Sequence, residues 1–133
     1  MNNQTHCLNL AAPRDRVFGF LSQIENLPKW ATLFCQGLRR DAQGRHWIAT
    51  RQGEMLFRIE ADAATGVIDM FGGPSEDAMA CWPARVIERP DGGTLFLFTA
   101  FQYPGVSDAA FAAQCAGLEQ EFPHIRAHTE EAS

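Results

Sequence analysis

The chain has 133 residues, 46% of them hydrophobic, a formal net charge of -5 and ten Phe against a single Tyr. That length suffices to bury a core without disulfides or a structural metal. The acidic balance argues against a general nucleic-acid binder, which needs a basic face, and no apolar run approaches the ~18 residues of a membrane span.

Residues 5–10 read as a short first strand, followed by Pro13 at the start of a helix over about 14–23. Val17, Phe18, Leu21 and Ile24 give that helix one apolar face. Pro28 opens a second, shorter helix over about 27–33. Turn signals follow at intervals near ten residues: Asp41-Ala42-Gln43-Gly44, Gln52-Gly53, Asp62 to Gly66 and Pro90-Asp91-Gly92-Gly93. Between them lie strand-like runs at about 35–40, 45–51, 54–61, 66–71, 78–88 and 94–103. The regular spacing predicts an antiparallel meander.

The run Thr94 to Tyr103 is apolar on both faces, which predicts a central strand covered on both sides over part of its length. Ser107 and Asp108 then open a last helix. Phe111, Cys115, Leu118, Phe122 and Ile125 form an apolar stripe along it. Pro123 is expected to kink that helix or end it near Phe122, and the tail His128 to Ser133 reads as frayed and polar. The fold class is therefore α+β, with helices and strands segregated. Six or seven antiparallel strands curl around the long C-terminal helix, in one domain over 1–133, and leave a cavity where side chains fall short of filling it.

Several segments in this order resemble the START-like (SRPBCC) superfamily, the helix-grip fold, and within it the polyketide cyclase/dehydrase and lipid-transport-like group. They are Ala12-Pro13 through Phe20-Leu21 and Ile24-Glu25-Asn26-Leu27-Pro28-Lys29-Trp30. Trp47 with Gly53 follows, then Pro83-Ala84-Arg85-Val86 leading to Pro90-Asp91-Gly92-Gly93-Thr94. The resemblance covers nearly the whole chain. It implies binding of lipids, sterols, hormones or polyketides, or cyclisation of aromatic precursors, and it brings no shared catalytic motif.

Three functions compete on these residues. The first is binding of a small apolar or aromatic molecule, with Trp30, Trp47, Phe57, Phe71, Trp82, Phe101, Phe111 and Cys115 as candidate lining residues. The second is a cyclase- or dehydrase-like enzyme, for which Arg58, Asp69 and Glu119 are the candidate proton carriers or anchors. The third is a ligand-free interaction or dimerisation domain, docking through a sheet edge or a loop near Gly72-Gly73-Pro74. No cofactor is implied. Four dispersed cysteines, none beside a His at ligand spacing, argue against a metal site and for a reduced, cytoplasmic setting. Arg39, Arg40, Arg45 and Arg51 read as the solvated edge of a hairpin.

Overall fold

The computed structural model describes residues 1–130. It runs β1 (Asn3–Leu10), α1 (Arg14–Leu21), a single 3-10 turn (Ile24–Asn26), α2 (Leu27–Trp30) and β2 (Gly37–Arg40). Then come β3 (His46–Thr50), β4 (Gly53–Asp62), β5 (Val67–Ser75), β6 (Ala78–Trp82), β7 (Ala84–Glu88), β8 (Thr94–Phe101) and α3 (Asp108–Glu130). The class is α+β: a curved antiparallel sheet holds a long C-terminal helix.

The eight strands are ordered β1-β8-β7-β5-β4-β3-β2, with β6 paired to β5 off that path. That is one strand more than the sequence suggests. Pro83 has no N–H to donate and splits the run 78–88 into two strands. β6 pairs with β5 from Met70 to Ser75, and β7 pairs with β8. Gly72-Gly73-Pro74, expected as a loop, lies within β5, where the register shifts between Gly72 and Ser75. A β-carbon on Gly73 would collide with the Ala78 carbonyl oxygen, so only glycine permits this close approach of β5 and β6.

Strict alternation assigns each strand its core face. On β8 the inward set is Thr94, Phe96, Phe98 and Ala100, all buried. Opposite them on β1 stand Leu10, Leu8 and His6. Leu95, Leu97, Thr99 and Phe101 face outward and are only half-buried, so cover on both faces holds for the inner set alone. The Thr94 hydroxyl donates to the Ala12 carbonyl (2.8 Å), fixing the chain as it leaves β1 for α1.

α1 buries Val17 and Leu21. It is shorter than its apolar spacing suggests, because the 3-10 turn takes over at Ile24. α2 ends at Trp30 rather than near 33, since the amides of Leu33 and Phe34 are claimed from α3. α3 passes through Pro123 without ending. Leu118, Phe122 and Ile125 anchor the helix on both sides of the proline. Side chains tie down its far end: Arg126 donates to the Asn9 carbonyl (2.7 Å), and Glu130 accepts from the Ala11 amide (2.8 Å). His128 stacks on Phe20, so the expected fraying does not begin there. Residues 131–133 of that tail lie outside the described residues. Among the described residues no helix is long and apolar enough to cross a membrane.

Candidate functional site

α3 packs on β1, α1 and α2. Its N-terminal half therefore stands away from the β3–β6 side of the concave sheet. The gap is an open cleft of about 670 Å³, bounded by α3, the segment 27–34, the β3–β4 turn and the inner faces of β4, β5, β6 and β8. The wall on α3 includes a run of small residues, Ala110, Ala113 and Gly117, at one-face helical spacing, with Gln114, Leu118 and Glu121 beside them. Short residues there leave the space that larger ones would fill.

The opposite wall is aromatic. Phe34, Phe57 and Trp82 meet one another with ring centroids 5.8 to 6.2 Å apart. Trp30 lies deeper, edge-on to Phe98 at 6.4 Å. Of the eight candidate lining residues, Trp30, Phe57 and Trp82 border the cleft.

The other five lie elsewhere. Trp47 is on the outer face of β3, where its indole donates to Asp41 (2.9 Å) and packs near Arg39. Phe71 is on the outer face of β5, beneath the Arg58 guanidinium at 4.3 Å. Phe101 is outward on β8, against Tyr103. Phe111 and Cys115 sit on the stripe of α3 next to the one that borders the cleft. Cys115 is buried, and burial pushes its thiol up.

Nor does the cleft receive the three candidate acid–base residues. Arg58 alternates with Phe57 and so faces outward, paired to Glu60 at 2.8 Å. Asp69 lies between the buried Ile68 and Met70 and shares the outer face of β5. Glu119 is half-exposed, and its Oε1 stands 2.6 Å from His6 Nδ1.

The carboxylate that does reach the cleft is Glu121, only 4% exposed. Its Oε2 accepts from the backbone amides of Leu33 and Phe34, both at 3.0 Å. Burial pushes its carboxyl above the usual range, and the two amides offset part of that push. Nearby Cys35 is also pushed up, first by burial and then by the Glu121 charge, although its thiol donates to the Gly37 carbonyl. Sequence reasoning missed Glu121, yet it occupies an inward position: three residues after Leu118 and four before Ile125. An acid at the centre of an apolar stripe was the available signal.

A raised carboxyl means that the folded protein holds this proton more tightly than the unfolded chain does. The stabilisation is complete below the ordinary Glu range and is lost as pH rises through the raised value. Glu121→Gln keeps an acceptor for the two amides and removes the charge. The variant should melt about 3 °C above the parent near pH 8, roughly 1 kcal/mol, with the gap closing near pH 4. Thermal denaturation at the two pH values checks this.

Four histidines and four cysteines make no metal centre: among the described residues no group of three or more His, Cys, Asp or Glu could hold an ion. Two of the four arginines read as a hairpin edge are paired on the surface. Arg39 pairs with Glu54 at 2.7 Å and Arg45 with Asp41 at 2.9 Å. The Trp47 indole, then the Arg45 and Gln43 groups, hold Asp41 well below the usual carboxylate range.

No family model matches the chain, and no curated protein does. Solved structures match along nearly its whole length. The protein XoxI from Bacillus cereus superposes with a TM-score of 0.74 at 13% identity, covering 97% of this chain and 96% of that one. A START superfamily protein from Mycobacterium smegmatis gives 0.66 at 13%, covering 98% and 99%. The di-domain ARO/CYC BexL of the BE-7585A biosynthetic pathway gives 0.65 at 19%, covering 98% of this chain and 47% of that one. At such identities the likeness establishes the fold, which is START-like, and leaves the occupant of the cleft to be argued from the chain's own residues.

Proposed function

We propose that this protein binds a small molecule with an apolar or aromatic body in the cleft between the sheet and α3. The observation that carries the reading is the cleft itself: about 670 Å³, within the range of small-molecule sites, with Trp30, Phe34, Phe57 and Trp82 on its walls and polar side chains from the β3–β4 turn and α3 beside them. A fold that merely plugged its sheet would place bulky residues on α3 where Ala110, Ala113 and Gly117 stand. The START superfamily protein and the ARO/CYC protein of a biosynthetic pathway share this architecture.

A catalytic reading would need a proton donor and an acceptor at the reacting atoms. Among the described lining residues Glu121 is the single carboxylate, and the cation Arg51 is exposed. One titrating group in an aromatic cleft favours binding over turnover.

Two of the three tryptophans border the cleft, which supplies the test. In a Trp47→Phe variant the emission comes from Trp30 and Trp82 alone. Titration with an apolar aromatic such as ethylnaphthalene should change it saturably, with Kd below about 100 µM. No saturable change would overturn the proposal.

A further inference from the structure

We propose that the cleft selects ligands carrying a protonated amine on an apolar or aromatic body, with Glu121 as the counter-charge. This deepens the binding reading above and rests on it. Glu121 Oε2 is saturated by the Leu33 and Phe34 amides. No hydrogen-bond partner is found for Oε1 among the described residues, whereas both amide bonds fall on Oε2. Glu121 is 4% exposed and borders the cleft, so we assign Oε1 to the cleft side.

A desolvated carboxylate oxygen without a partner is costly, and a ligand that leaves it so gains little from entering. An ammonium group meets that oxygen directly. The neighbouring wall acts with the same sign. Glu121 is bonded to the backbone of Phe34, whose ring joins Phe57 and Trp82, and the faces of such rings attract cations. A ligand anion would be repelled by both.

The other charged or titratable groups around Glu121 do not cancel this. Cys35, from the segment after α2, has its thiol pushed up and stays neutral. Arg51, on the β3–β4 turn, is exposed at the rim. On α3 itself Glu119 is turned to His6.

The test compares two probes of similar shape, naphthylmethylamine and ethylnaphthalene, by Trp30 and Trp82 emission in the Trp47→Phe background. Near pH 8 the amine should bind at least about tenfold more tightly. Glu121→Gln should cut that advantage to under about twofold, with circular dichroism confirming the fold. The advantage should also shrink as the pH is lowered, because burial raises the Glu121 carboxyl and it takes up its proton before an ordinary Glu would. Equal binding of the two probes, or an advantage that survives Glu121→Gln, overturns the amine inference and leaves the apolar cleft standing. Failure of both probes to bind overturns the binding reading with it.

Discussion

Filling the cleft from the helix side should abolish ligand binding without unfolding the protein. In Ala113→Trp/Gly117→Leu, ethylnaphthalene affinity should fall at least about tenfold, a loss of roughly 1.4 kcal/mol, while Tm stays within about 3 °C of the parent. Ala113 is exposed and borders the cleft, so a Trp there displaces no core residue. At Gly117 an added β-carbon would lie 3.8 Å from Leu33 Cδ1, an ordinary van der Waals contact. Replacing a mid-helix glycine also gains about 1 kcal/mol of helix propensity, which offsets the poorer propensity of Trp. Titration calorimetry and thermal melting decide the matter. Undiminished affinity would place the ligand elsewhere.

The same residues show why the sequence located the fold better than the site. Helix order, turns and strand spacing depend on local periodicity and on Gly and Pro chemistry, which a single sequence displays. A search for large apolar residues on the last helix finds Leu118, Phe122 and Ile125, which are core. It passes over Ala110, Ala113 and Gly117, whose small size makes the cleft. Space is a property of what is absent, so a stripe of small residues one position away from the bulky one is the better indicator. The register problem hid the rest. Phe57 and Arg58 are neighbours, as are Met70 and Phe71, and one step along a strand moves a side chain from the cleft to solvent.

Glu121 and Glu119 are two residues apart on α3 and differ in the same way. A helix turns each residue about 100°, so Glu119 swings toward His6 on β1 while Glu121 swings toward the segment 31–35. The apolar spacing marks Glu121 as the inward acid, while what it meets there depends on how α3 is seated against β1, α1 and α2, all distant in sequence.

The strand β8 allows the division of its two apolar faces to be weighed energetically. Phe96→Ala should cost about 3–5 kcal/mol and lower Tm by roughly 12–20 °C, measured by denaturant and thermal unfolding. Phe96 has no exposed surface and contacts Phe98 and Phe122 at centroid distances of 6.2 and 5.9 Å. Its removal leaves a void that the sheet and α3 cannot both close. Phe101→Ala, five residues along the same strand, should cost about 1 kcal/mol, because that ring faces outward, is half-buried and touches Tyr103. From sequence the two phenylalanines are equivalent members of one apolar run. Equal costs would mean that the outer face is covered in solution, and the half-exposed row Leu95, Leu97 and Phe101 would then be an interface rather than a wet surface.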